Sequence, residues 1–197
     1  TVTDAAMLLT VMAGVDADDP HGQEAAGKVA ADYTTFLKAD ALKGKRFGLL
    51  RQAMGYHPDV DASTLKAVEA IKAAGGEVVD VKVPGYNAWG DAEFDVLLYE
   101  FKDGLNAYLK KAGATQATLE ALIAWNKAHA ADAMPFFGQE IFEQAQAKGP
   151  LTDAAYLKAR DTARRLAGKD GLIAALGKDK LDALIAPSMA PAWPTDH

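Results

Sequence analysis

Between residues 42 and 84 the hydrophobic repeat changes twice, and that change constrains the fold more than any other feature of the 197-residue chain. Leu42-Lys-Gly-Lys-Arg-Phe-Gly-Leu-Leu50 reads as a turn feeding a short buried strand at 46–50. From 61 to 74, Leu65, Val68 and Ile71 share one helical face while Lys66, Glu69 and Lys72 lie elsewhere, and Gly75-Gly76 ends the pattern. Over 77–83 the alternation Val79, Val81, Val83 marks a second strand, closed by Pro84-Gly85. Strand, helix, strand in that order implies a parallel pair with a right-handed crossover.

The rest reads as helix with one more strand. Alanine is the commonest residue and favours helix. A first helix is expected over 4–13, capped by Thr3 and stopped by Gly14; it is apolar almost throughout, the pattern of a helix buried on all sides. Phe94, Leu97, Leu98, Phe101, Leu105, Tyr108 and Leu109 repeat at helical spacing from 91 to about 111. Thr118 caps the next helix, Pro135 precedes another at 136–147, Thr152 or Asp153 starts one reaching Leu166, and a short helix covers 171–176. A final strand at 181–186 runs into Pro187. The expected architecture is a helix-rich α/β fold, with a small mixed sheet, a βαβ unit and a helical layer, in one domain covering 1–197.

Composition excludes several functions. Without cysteine there is no disulfide framework, thiolate metal site or cysteine nucleophile. A net charge of −6 without a long basic run argues against nucleic acid as a partner. No apolar run approaches the roughly 20 residues of a membrane span, and no signal-peptide pattern follows Thr1, so a soluble protein, with the cytoplasm as the favoured compartment, is expected.

No complete catalytic set emerges from the residues themselves. Ser63 reads as a capping residue and Ser188 as a turn residue after a strand, with no Gly-x-Ser-x-Gly elbow around it. His21, His57, His129 and His197 show no metal-ligand spacing. His129 and Asp132, three apart on a helix, have the spacing of a base and its orienting carboxylate, or of a surface pair. The acidic loop 16–19 fails the calcium-loop pattern, because His21 and Gly27 stand where Gly and Glu are needed. No phosphate-cradling glycine loop is present, and no metal or cofactor is expected. Arg160 and Arg164 share a helix face, expected to be solvated or ion-paired.

Six segments taken in order nevertheless resemble the amidase signature family, within it the peptide-amidase-like branch. They are the stretch from Thr1-Val-Thr-Asp-Ala-Ala-Met-Leu-Leu to Asp-Asp-Pro20, the 42–50 segment, Tyr99-Glu-Phe-Lys-Asp-Gly-Leu105, Phe137-Gly-Gln-Glu140, Ala159-Arg-Asp-Thr-Ala-Arg-Arg-Leu-Ala167, and Leu181 to Pro187 with Pro191-Ala-Trp-Pro194. The resemblance implies amide hydrolysis by a Ser–cis-Ser–Lys triad. It also implies that this chain is a fragment, lacking the N-terminal catalytic region that carries the triad and the closing C-terminal strands. The matching segments suggest Phe101, Phe137, Gln139 and Trp193 as walls of a substrate funnel, apolar surfaces with one amide. The implied partner is a small amide or peptide amide, with neither nucleic acid nor membrane. The fragment itself is expected to be inactive and to self-associate. A free-standing binding or assembly module that retained this part of the fold is the alternative, and a small acid/base enzyme using His129 and Asp132 ranks last.

Overall fold

The computed structural model describes residues 1–17, 19 and 22–192. Its centre is a parallel sheet of β1 (Arg46–Leu50), β2 (Glu77–Val81) and β3 (Ala183–Ile185) in the order β2-β1-β3. Arg46 pairs with Glu77 and Leu50 with Val81 on one side of β1; Phe47 pairs with Ala183 and Leu49 with Ile185 on the other. The sheet is thus all parallel among the described residues, where a mixed one was expected. Gly48 lets its neighbours close over the central strand. A Cβ there would lie 2.6 Å from Leu181 Cδ1, 2.8 Å from Val81 Cγ2 and 2.9 Å from Leu184 Cδ2.

Helix α2 (Pro58–Ala73) joins β1 to β2. It starts three residues before the apolar repeat suggested, because His57 caps it through Nδ1, accepting from the Asp59 N–H at 3.3 Å, and Pro58 fits the first helical turn. Ser63 therefore lies within the helix and not at its start. Strand β2 ends two residues early for a related reason. The Gln52 side chain accepts from the Val83 N–H at 2.7 Å and donates to the Val83 carbonyl at 3.4 Å, replacing the ladder. Val83 stays buried without being strand.

The helical layer comprises α3 (Gly90–Lys111), α4 (Leu119–Ala128), the short α5 (Ala130–Ala133), α6 (Glu140–Gln146) and α7 (Ala154–Arg164). Thr118 caps α4 as expected, accepting from the Ala121 N–H at 3.1 Å, while Asn106 Oδ1 on α3 accepts from the Leu119 N–H at 2.8 Å. Leu98, Leu119, Ile123 and Ala145 make the core of this layer, with Phe101, Leu105 and Phe142 packed on it. A second core joins Leu50, Val83 and Ala175 to Tyr86, Trp89 and Leu184 at the sheet. Beyond Arg164 the chain does not break. It widens into a π-helix (Arg165–Leu172) and continues as α8 (Ile173–Asp179), so the two helices expected at 152–166 and 171–176 are one rod. Gly171 permits the widened turn, since a Cβ there would meet the Leu166 carbonyl oxygen at 2.4 Å.

Helix α1 (Val2–Met12) departs most from expectation. Its cap is Thr1, not Thr3: Thr1 Oγ1 accepts from the Asp4 N–H, and the Asp4 carboxylate accepts from the Thr1 ammonium at 2.7 Å, a capping box. No residue of α1 is buried, with Val2 75% and Val11 80% exposed. Its neighbour is the short turn Tyr33–Phe36, whose Tyr33 N–H donates to Thr10 Oγ1 at 3.0 Å. The apolar residues go all round the helix, but the described chain supplies cover on a small part of it.

Candidate functional site

Pro135 and the corner before α6 border a cavity. Proline disfavours helix at the residue before it, so the chain leaves α5 at Met134 and runs without helix through Phe136, Phe137 and Gly138. The helix expected at 136–147 begins only at Glu140, with Gln139 at its N-cap position. The Gln139 side chain holds this corner against α4. Its Oε1 accepts from Asn126 Nδ2 at 3.0 Å, and its Nε2 donates to the Ile123 carbonyl at 3.1 Å. Between corner and helix lies a cavity of about 450 Å³ lined by Asn126, Met134, Phe136, Phe137, Gln139 and Phe142 among others.

Of the four residues singled out in the sequence, Phe137 and Gln139 share this wall. Phe137 is 73% exposed and offers a broad apolar face. Gln139 is half-buried, with one N–H and one lone pair beyond those used in the bracket. Phe101 stands one layer behind, its ring 5.3 Å from that of Phe142 in the helical core. Trp193 lies outside the described residues. Asn126 was missed; its signal was a carboxamide one turn after the core residue Ile123 on α4. The cavity offers aromatic walls beside paired carboxamides, and among the described residues Glu140 is the one charged residue in its lining.

The remaining candidates fall elsewhere. His129 caps the end of α4: its Nδ1 lies 2.8 Å from the Trp125 carbonyl and its ring stacks on Trp125 at 4.2 Å. Asp132 meets it through the backbone, its N–H donating to the His129 carbonyl at 3.0 Å. This geometry is that of a helix end, not of a base held by a carboxylate. Ser188 lines a second cavity, about 430 Å³, at the C-terminal ends of β1 and β3, beside Tyr56, Tyr86 and Asn87. Tyr56 donates there to the Met189 carbonyl at 2.9 Å. Among the described residues, no lysine or histidine lines it to act as a base for Ser188. No group of three or more histidines, aspartates or glutamates among the described residues is placed to hold a metal, and no described helix is long and apolar enough to cross a membrane.

Comparison with known proteins places this architecture. The Amidase family model matches residues 1–197. A crystal structure of a peptide amidase in complex with the competitive inhibitor chymostatin superposes with a TM-score of 0.90 at 42% identity, covering 98% of this chain and 40% of that one. The native peptide amidase of Stenotrophomonas maltophilia gives 0.86 at the same identity and coverage. A relative from Arabidopsis thaliana named Probable amidase is 30% identical over 191 residues, 94% of this chain and 36% of the relative. The chain thus spans about 40% of the length of the peptide amidases whose fold it shares, and a little over a third of the plant relative. With the family model matched from end to end and the α/β architecture shared with peptide amidase, the chain belongs to the amidase family.

Proposed function

We propose that residues 1–197 form a partial amidase domain, a piece of an amide-bond hydrolase that supplies scaffold and one wall of its substrate funnel. The observation that carries this reading is the coverage: 98% of this chain superposes on peptide amidase, but only 40% of peptide amidase is represented. The Ser–cis-Ser–Lys triad belongs, on this reading, to the part of the enzyme outside this chain. There the lysine and the bridging serine would activate the nucleophilic serine, and backbone N–H groups would stabilise the oxyanion. Phe137 and Gln139 would take an apolar side chain and an amide of a peptide-amide substrate, with Phe101 stiffening the wall through Phe142. Trp193 completes the proposed set.

The test is an ammonia-release assay on the purified 197-residue protein with C-terminal peptide amides. No turnover is expected. Turnover that is abolished by Ser188→Ala would overturn the proposal. Reading the coding sequence on both sides distinguishes the alternatives: an upstream lysine followed by a Gly/Ser-rich segment supports the partial enzyme, and a start codon beside Thr1 with a stop after His197 supports a free-standing module.

A further inference from the structure

Helices α3 and α7 pack side by side, and their facing ridges carry opposite charge. Glu93 and Glu100 lie seven residues apart on α3, two turns along one face; Arg160 and Arg164 lie one turn apart on α7. Between the ridges is a cavity of about 360 Å³ whose lining is completed by Val96, Ala163, Ala167 and Trp89. Alanines on the α7 side leave the groove open where longer residues would fill it.

Opposite charges on facing helices would ordinarily pair directly. Here no ion pair crosses the groove among the described residues. Arg160 instead donates through Nε and Nη2 to Asp161 Oδ1, at 3.0 and 2.9 Å, on its own helix. Glu100 accepts the Tyr156 hydroxyl at 2.7 Å on Oε1, leaving Oε2. That bond fixes the Glu100 carboxylate and pushes the Tyr156 phenol upward from its ordinary pKa, chiefly through the hydrogen bond itself.

We propose that this groove binds a zwitterion, an α-amino acid or short peptide with a free carboxylate at one end and an ammonium at the other. The carboxylate would lie against Arg164, whose planar guanidinium matches it, with Nη1 of Arg160 beside it, since Nε and Nη2 of Arg160 are taken by Asp161, and the ammonium against Glu93 and Glu100. A simple anion would meet two carboxylates and a simple cation two guanidiniums, so a ligand carrying both charges is the one the groove favours. Trp89 in the lining offers a face for an apolar side chain. Hydrolysis of a peptide amide creates the carboxylate that the arginines recognise, so the groove would separate acid from amide; its binding test does not depend on hydrolysis.

The experiment is an NMR titration of the ¹⁵N-labelled chain with alanyl-phenylalanine, with its C-terminal amide and with its N-acetyl derivative, following the amides of Ala163 and Ala167. The dipeptide is expected to shift these signals saturably, and each derivative to bind about fivefold more weakly, the scale of one exposed ion pair. Arg164→Gln should weaken discrimination against the C-terminal amide, and Glu93→Gln discrimination against the N-acetyl form. Equal binding of the three ligands, no shift at Ala163 and Ala167, or variants that leave both preferences intact would overturn the proposal. The three-ligand comparison on the unmodified chain decides the matter even if a variant fails to fold.

Discussion

Gln139 and Phe137 are neighbours in one wall, yet substitution should separate their roles. Gln139→Ala removes both hydrogen bonds of the corner and leaves the Ile123 carbonyl and the Asn126 amide without that partner. A loss of about 1–3 kcal/mol in denaturant unfolding is expected. Phe137 is largely exposed, so Phe137→Ala should move stability by no more than about 0.5 kcal/mol. In a complete enzyme carrying this wall, the same change should raise KM for peptide amides with an apolar terminal residue while leaving kcat nearly unchanged, as expected when binding common to ground and transition state is lost. An unaltered KM would remove Phe137 from the funnel. Gly48→Ala makes the sharper case in the sheet. Its Cβ would meet three side chains below 3.0 Å, so the central strand must shift, at a cost of about 1–3 kcal/mol read from the same unfolding curves.

At the scale of elements, β3 is short, and polar contacts at its entrance fasten it to β1. Asp182 accepts from Lys45 Nζ and from the Arg46 N–H, both at 2.8 Å, while its own N–H donates to the Arg46 carbonyl at 2.7 Å. The Lys45 hydrogen bond first, and the Arg46 N–H second, hold the Asp182 carboxyl below the ordinary aspartate range. A carboxyl whose pKa is lower folded than unfolded contributes stability that is complete above its unfolded pKa and lost as pH falls through the folded value. Asp182→Asn should therefore lower stability at neutral pH and flatten the part of the acid-side decline that Asp182 causes. Unfolding curves collected from neutral to strongly acidic pH for both proteins check this, and parallel pH profiles would refute it. The sequence made this strand legible through its apolar run before Pro187, and β1 and α3 were legible through their periodicity. The end of β2, the late start of α6 and the π-widened rod were not. The first two depend on contacts that no local pattern records, Gln52 reaching Val83 and Gln139 reaching α4, and the third on the Leu166 carbonyl oxygen closing against Gly171 five residues on, a π-type spacing that the 3.6-residue repeat does not show. The candidate wall was half legible for the same reason, since Phe137 and Gln139 are close in sequence while Asn126 joins them only in space.

On the scale of the whole molecule, surface area decides what the chain does in solution. A compact monomer of 20.8 kDa exposes roughly 9,000 Å², whereas this structure exposes 13598 Å². Much apolar surface is in that difference. Met7, Leu8, Val11 and Met12 on α1 are all at least half exposed, and β2 and β3 each present an edge of the sheet without a strand partner among the described residues. Apolar burial contributes about 25 cal/mol per Å², and a stable association removes roughly 1,200–2,000 Å² from water, less than the excess available. The expected outcome is therefore self-association through α1, visible as an apparent mass that rises with concentration in light scattering. Leu8→Lys together with Val11→Lys tests the route. Lysine is a good helix former, and a cation near the end of α1 favours its dipole, so the helix should persist by circular dichroism while the mass falls toward that of one chain. An unmodified chain that stays monomeric at every concentration would refute the association itself, and a double variant that still associates would move the contact from α1 to the sheet edges.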